Sequence, residues 1–152
     1  MISDANRYYG ATLSFIVDRW DGSISFQNAP NASAGFYILN GRLPLFIKYS
    51  TSRRGPWQFT FQKEHQTQQQ SLFELYGECL MAFVCGRDGI AALTHNDFRK
   101  VLDDRFEGQE SVAIHRRHNE MYRISGRDGI FERKVARNCL AELVRSAQQT
   151  EL

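Results

Sequence analysis

The sequence predicts a single domain spanning residues 1–152, of the α/β or α+β class, with a mixed, largely antiparallel sheet. Hairpins build this sheet, and three to four helices flank it. Segments with helical spacing of apolar residues alternate with short strand-like segments along the whole chain, and no Pro-, Gly- or Ser-rich linker separates them. A length of 152 residues with 42% apolar and 24% charged residues is typical of one folded domain.

Four helices are predicted from caps and from apolar spacing. The first begins at the capping residues Ser3 and Asp4 and ends near the Asp-Gly pair at 21–22. Its apolar face consists of Tyr9, Leu13, Ile16 and Trp20. The second begins at a Ser71–Glu74 capping box, and the third follows the cap at residues 94–97. The last carries Val135, Cys139, Leu140 and Leu143 on one side.

Strands are predicted wherever apolar and aromatic residues run or alternate between turn residues. They cover residues 23–27, 36–39, 43–49, 57–61, 80–85, 90–93, 111–115, 121–125 and 130–134. Asn40-Gly41 predicts a tight type I′ hairpin, because both central residues of that turn need positive φ.

The pentapeptide Gly-Arg-Asp-Gly-Ile occurs twice, at residues 86–90 and 126–130. Asp-Gly favours turns because both residues tolerate the left-handed region, so two similar hairpins are the first interpretation. The alternative is that the two turns meet and form a site from Arg87, Asp88, Arg127 and Asp128.

Cysteine usage and the absence of a long apolar segment predict a cytoplasmic protein without a membrane partner. The three cysteines have no CxxC spacing, and the apolar runs at 43–47 and 80–85 are far too short to cross a bilayer. No metal or cofactor is expected. The pair His115 and His118 lies beside Arg116 and Arg117, and these cations favour a polar turn over a metal site.

Charge is distributed unevenly along the chain, although the net charge is only +2. Residues 22–63 contain five bases and no acid, residues 64–110 have a balance of −5, and residues 111–152 a balance of +3. Arginine and lysine near an aromatic residue are typical of nucleic-acid contacts. The candidate DNA- or RNA-binding residues are therefore Lys48, Arg53, Arg54, Trp57 and Lys63, with a contribution from Arg116 and Arg117.

Residues 4–85 resemble the core of the PD-(D/E)XK nuclease superfamily. The resemblance lies in the order helix, antiparallel hairpin, helix and strand, with Lys48 at the position of the family lysine. It implies a nuclease-like fold, but Phe46 stands where the family has the paired acid, and Asn40 where an Asp is expected. The pattern with YYG near the start and IKYSTSRRGPW in the middle also resembles an uncharacterised bacterial family.

Three functional hypotheses follow. The first is a non-catalytic nucleic-acid-binding module of nuclease-like topology. The second is a metal-dependent nuclease in which Lys48 is catalytic and relocated acids, Glu64 or Glu74, bind Mg²⁺. The third is a non-enzymatic interaction protein, forming a homodimer through an exposed aromatic strand at residues 57–61. The alternative for that strand is that its aromatic side chains face the core.

Overall fold

The structure, a computed structural model, describes residues 1–149 and confirms a mixed α/β fold in which three to four helices flank largely antiparallel strands. Four helices occur in these residues: α1 (Asp4–Asp18), α2 (Lys63–Tyr76), α3 (His95–Val101) and α4 (Leu140–Gln149). The strands are β1 (Phe26–Asn28), β2 (Phe36–Leu39), β3 (Leu43–Ser50), β4 (Trp57–Phe61), β5 (Leu80–Cys85), β6 (Gly89–Leu93), β7 (Glu110–His115), β8 (Arg123–Gly126) and β9 (Gly129–Ile130).

The strands divide into two sheets. The first has the order β1-β2-β3-β5-β6, in which β3 and β5 are parallel and every other pair is antiparallel. The second has the order β4-β7-β8-β9 and is antiparallel throughout. Asn40 and Gly41, between β2 and β3, have φ values of 51° and 71°, as the predicted type I′ hairpin requires.

Three layers form the molecule, because the first sheet is apolar on both faces. One face packs against the second sheet, and aromatic rings from both sheets fill the space between them. These rings include Phe36, Phe46 and Phe83 from the first sheet and Phe59 and Phe61 from the second. The opposite face of the first sheet is covered by apolar residues of α1 and α4, such as Ile16, Leu140 and Val144.

Helix α2 begins eight residues before its predicted start, so Ser71 lies inside the helix. Gln62 and His65 cap it, and the Gln62 N–H donates to His65 Nδ1 at 3.4 Å. The glutamines that follow carry no apolar signal, yet Gln66 and Gln69 are buried. The helix is therefore stabilised on this side by polar contacts, which a search for apolar periodicity does not detect.

A buried polar network explains those contacts. Arg99 on α3 donates to the side-chain oxygens of Gln66 (3.0 Å), Gln69 (3.0 Å) and Gln70 (3.2 Å). Gln66 in turn donates to Glu110 on β7 at 2.6 Å. One guanidinium thus joins α2 to α3, and one amide joins α2 to the second sheet.

The C-terminal elements also differ from expectation. Val135 does not begin the last helix, because it pairs with Tyr122 through two backbone hydrogen bonds of 2.8 Å. Helix α4 begins five residues later, at Leu140, and of the strand predicted at 130–134 only Ile130 lies in a strand, the short β9 (Gly129–Ile130). Over residues 1–149, no helix combines the length and the apolarity needed to cross a membrane.

Candidate nucleic-acid interface

A surface pocket of about 760 Å³ lies between the loop at residues 51–56 and the turn that follows β7. We call it the arginine pocket. It is lined by Arg53, Arg54, Gly55, Pro56, Trp57, Asp88, His115, Arg116, Arg117 and His118. The two walls come from segments about 60 residues apart in the sequence, and both were predicted to be basic.

Hydrogen bonds and close packing hold the loop at residues 51–56 in place. Trp57 donates from its indole Nε1 to the Ser52 carbonyl at 3.0 Å, and the Ser52 hydroxyl donates to the Arg54 carbonyl at 2.8 Å. Gly86, the first residue of the first pentapeptide, has φ 54°, and a Cβ there would lie 2.2 Å from the Ser52 carbonyl oxygen. Only glycine permits this close approach of the loop to the turn.

The opposite wall is anchored by an ion pair between Arg116 and Asp88. Arg116 donates from Nε to Asp88 Oδ2 at 2.8 Å and from Nη2 to Oδ1 at 2.6 Å. The Tyr122 hydroxyl donates to the same Oδ2 at 2.7 Å. The hydrogen bonds from Arg116 hold the pKa of Asp88 below its usual value, while burial raises the pKa of Tyr122. Asp88 is therefore charged, Tyr122 is neutral, and Arg116 is compensated.

The other arginines of the pocket are not compensated. Arg53, Arg54 and Arg117 are exposed, and their guanidinium groups make no hydrogen bond or ion pair with any residue from 1 to 149. Among the described residues that line the pocket, Asp88 is the only carboxylate, and Arg116 already pairs with it. The pocket consequently has a surplus of positive charge that faces solvent.

A second pocket of about 390 Å³ adjoins the first and shares His115 and Arg117 with it. Its remaining wall consists of Glu120, Met121, Arg123 and Lys134. Lys134 pairs with Glu120 at 3.3 Å, whereas the Arg123 guanidinium has no partner among the described residues. We call the two pockets together the basic groove.

The predicted binding residues divide between this groove and other parts of the molecule. Arg53, Arg54 and Trp57 meet Arg116 and Arg117 in the arginine pocket, although 59 or more residues separate the two groups. Trp57 is only 3% exposed, so it supports the loop and offers no free face to a base. Lys48 and Lys63 do not line the groove: Lys48 lies in a separate pocket, and Lys63 is the exposed first residue of α2.

Lys48 lies on β3 with its ammonium among aromatic rings. Its Nζ is 5.2 Å from the ring centroid of Phe61 and 5.8 Å from that of Phe46. Glu64 and Glu74, the acids considered as relocated metal ligands, instead accept hydrogen bonds from Gln68 and Gln70, both at 3.2 Å. Within residues 1–149, no group of three or more His, Cys, Asp and Glu side chains is arranged to hold a metal ion.

The two pentapeptide turns have separate roles. The first belongs to the β5–β6 hairpin and contacts the arginine pocket, while the second belongs to β8–β9 and closes on the end of α3. There Asp128 accepts from the Asp103 N–H at 2.9 Å, and a Cβ on Gly126 would lie 2.4 Å from the Val101 carbonyl. In the described part of the chain, no hydrogen bond or ion pair connects one turn with the other.

The aromatic strand at 57–61 faces inward. Trp57, Phe59 and Phe61 are all buried between the sheets, at 3%, 1% and 0% exposure. Their side chains therefore stabilise the core and are not available for pairing with another chain. This is the alternative that the sequence left open for β4.

Some residues that shape the groove are missed by sequence reasoning. The role of Asp88 could not be predicted from the sequence, because its partners, Arg116 and Tyr122, are 28 and 34 positions away. His115 and His118 gave only a weak metal-like pattern, and Arg123 gave none. The positive balance of residues 111–152 was the one signal that pointed to this wall.

Comparison with protein-family models, curated proteins and solved structures finds no match for this chain. The function is therefore argued from the chemistry of the groove. Its defining property is a set of arginines that have no acidic partner in the described part of the chain, on walls that the fold holds in place.

Proposed function

We propose that the protein is a non-catalytic nucleic-acid-binding module whose basic groove contacts the phosphate backbone. The observation that carries the proposal is a group of four guanidinium groups around two connected pockets that have no partner among residues 1–149: Arg53, Arg54, Arg117 and Arg123. Guanidinium binds phosphate oxygens through paired N–H donors, and it is the preferred side chain for this purpose.

The shape of the groove supports a polyanion over a single phosphate. Its two pockets share His115 and Arg117, so the positive charge continues from one pocket into the next. A nucleic-acid strand places a phosphate at every nucleotide, and each neutralised phosphate releases condensed counterions. Several separate arginines along one groove suit such a ligand better than one compact anion.

The acidic side chains of the groove already pair with protein groups, which supports nucleic-acid binding over cleavage. Asp88 holds Arg116 and Tyr122, and Glu120 pairs with Lys134. Lys48, the residue required by the nuclease hypothesis, has aromatic neighbours in another pocket. A Mg²⁺-dependent cleavage of plasmid or single-stranded DNA that Lys48→Ala abolishes would favour the nuclease hypothesis instead.

The burial of Trp57 supports recognition of backbone over base. Stacking on an aromatic ring needs an exposed face, and the indole of Trp57 lies against Tyr122 with ring centroids 6.1 Å apart. Affinity should then come from phosphate contacts and vary little with base sequence. Oligonucleotides of equal length and different sequence are expected to bind within a few-fold of one another.

The test is fluorescence anisotropy with labelled DNA and RNA oligonucleotides, single- and double-stranded, between about 50 and 200 mM salt. Binding should weaken steeply with salt. Arg117→Gln and Arg54→Gln should each weaken binding and reduce the slope of log K against log salt by about one, and the double variant by about two.

Arg7→Gln is the matched control, because Arg7 is an exposed arginine on α1, in the helical layer on the far side of the first sheet. It changes the net charge equally and should leave the salt slope unchanged. Absence of binding at about 50 mM salt would refute the proposal, as would an effect of Arg7→Gln equal to that of Arg117→Gln.

A further inference from the structure

A pocket of about 440 Å³ lies between α1, the loop before β2, β3 and the start of α2. It shares no lining residue with the basic groove. We call it the lysine pocket, and its walls are Tyr9, Ser33, Ala34, Phe46, Ile47, Lys48, Tyr49 and His65. Its volume is in the range of small-molecule sites.

Lys48 is the only lysine or arginine among the described residues of this wall, and it has no anionic partner among them. Its ammonium makes no hydrogen bond or ion pair with any residue from 1 to 149, and its nearest charge-stabilising neighbours are the rings of Phe46 and Phe61. Burial lowers the pKa of Lys48, because the charged form loses hydration there. A ring compensates such a charge only partly, so an anion entering the pocket would gain a strong contact.

His65 supplies a second donor. Its Nδ1 accepts the Gln62 N–H in the cap of α2, so the ring proton is on Nε2. Burial and the charge of Lys48 lower the pKa of His65, which keeps the ring neutral near pH 7. The histidine therefore offers one N–H donor without adding a second positive charge.

The remaining wall is aromatic and tightly supported. The Tyr9 and Tyr49 rings meet edge to face with centroids 5.8 Å apart, and Tyr8 stacks on Tyr49 at 4.9 Å. Beside them Gly35 has φ 97°, and a Cβ there would lie 2.8 Å from the Ile47 carbonyl and 3.1 Å from the Tyr9 hydroxyl. These contacts hold the rings in position before any ligand arrives, which reduces the cost of ordering on binding.

We propose that the lysine pocket binds a small organic monocarboxylate with an aromatic or apolar body. The carboxylate accepts from Lys48 Nζ and from His65 Nε2, while the body contacts the rings of Tyr9 and Tyr49. One positive charge and one neutral donor match a single carboxylate better than a phosphate dianion. The proposal is independent of the basic groove, because the two sites share no residue.

Titration with benzoate, phenylacetate and hexanoate tests the proposal. Binding is monitored by the NMR resonances of the histidine ring and by calorimetry. At least one acid should bind saturably below about 20 mM and shift the His65 ring signal, whereas the neutral isostere benzamide should bind at least tenfold more weakly. Inorganic phosphate should not compete.

Lys48→Met keeps the aliphatic stem and removes the charge, so it should weaken binding of the acid at least tenfold. His65→Asn keeps a side-chain acceptor for the cap of α2 but lacks the Nε2 donor. It should therefore weaken binding of the acid several-fold. Lys100→Met, on the exposed side of α3, makes the same charge change as Lys48→Met and should leave binding unaltered. Lys48→Met should also leave oligonucleotide binding intact, which separates this test from that of the groove.

Three outcomes would overturn the proposal: no saturable binding of any of the three acids, equal binding of benzoate and benzamide, or equal losses in Lys48→Met and Lys100→Met. If Lys48→Met fails to fold, the comparison of benzoate with benzamide on the unchanged chain still decides the question. A benzoate-induced shift of His115 or His118 without one of His65 would place the ligand in the basic groove and count against the lysine pocket.

Discussion

Arg116 and Asp88 form a two-point ion pair, with N···O distances of 2.8 and 2.6 Å, that joins the turn after β7 in the second sheet to the turn between β5 and β6 in the first. Both side chains are largely shielded from solvent, at 14% and 18% exposure. The pair therefore fixes one wall of the arginine pocket relative to the other. It also occupies Asp88, the one carboxylate among the described residues of that pocket wall, so the remaining arginines stay available.

Replacing Asp88 with Asn should lower the free energy of unfolding by about 2 kcal/mol at pH 7, because charged hydrogen bonds to Arg116 and Tyr122 are weakened. The pKa of Asp88 is lower in the folded chain than its usual value. The stabilisation by Asp88 is hence complete above the pKa that this carboxyl has in the unfolded chain. It disappears as the pH falls through the pKa that the carboxyl has in the folded chain. Urea unfolding of both proteins should show the difference at pH 7 and its disappearance in strong acid.

Asp21→Asn is the control for that experiment, since Asp21 is exposed and makes no hydrogen bond or ion pair with the described residues. It should change stability by less than about 0.5 kcal/mol. A loss in Asp88→Asn that stays constant down to pH 2 would contradict the role given to the ionised carboxylate.

Gly86→Ala should destabilise the protein by more than about 2 kcal/mol. The added Cβ would meet the Ser52 carbonyl oxygen at 2.2 Å, and φ is 54°, so the turn and the loop must separate. Gly10→Ala is the matched substitution, because Gly10 lies within α1 with no atom within 4 Å of the new Cβ. It should stabilise by about 0.5–1 kcal/mol, and thermal unfolding of the two variants should move in opposite directions.

Arg99→Met should cost about 3 kcal/mol, because it leaves the side-chain oxygens of Gln66, Gln69 and Gln70 without their shared donor. The neighbouring Lys100→Met removes the same charge from an exposed position of α3 and should have a much smaller effect, because exposed ion pairs contribute little to stability. Chemical denaturation followed by tryptophan fluorescence measures both. Equal costs would mean that the glutamine network adds nothing to stability.

His95 should make the protein less stable in weak acid. Burial, assisted by the charge of Arg99, lowers the pKa of His95 to about 4, while the unfolded chain titrates near the ordinary value of 6.5. The unfolded state thus binds the proton first, so stability is complete above pH 6.5 and falls by up to about 3 kcal/mol toward pH 4.

His95→Gln can still hydrogen-bond Gln69 but does not titrate. Its stability should fall less than that of the unchanged protein between pH 6.5 and 4, when both are measured by urea unfolding. Parallel profiles for the two proteins would show that His95 titrates alike in the folded and unfolded states, which would contradict the prediction.

Features controlled by a few neighbouring residues were predictable from the sequence. The Asn40-Gly41 turn follows from the φ values that such a hairpin requires, and the alternation of Trp57, Phe59 and Phe61 follows from the two-residue period of a strand with one buried face. The first helix, with its cap at Ser3, also depends on residues that are close together in the sequence. In each case the interacting groups lie within one turn or one strand, so their order along the chain contains the information.

The sequence by itself determined the mixed α/β class, the local hairpins and the acid-free character of residues 22–63. Only the tertiary structure decided the division of the strands into two sheets, the burial of the glutamines of α2 and the meeting of the 51–56 loop with Arg116 and Arg117. It also separated Lys48 from the groove. The physical reason is that these outcomes depend on which sheet faces pack together, and packing joins residues far apart in sequence whose identities carry no local signal of the contact.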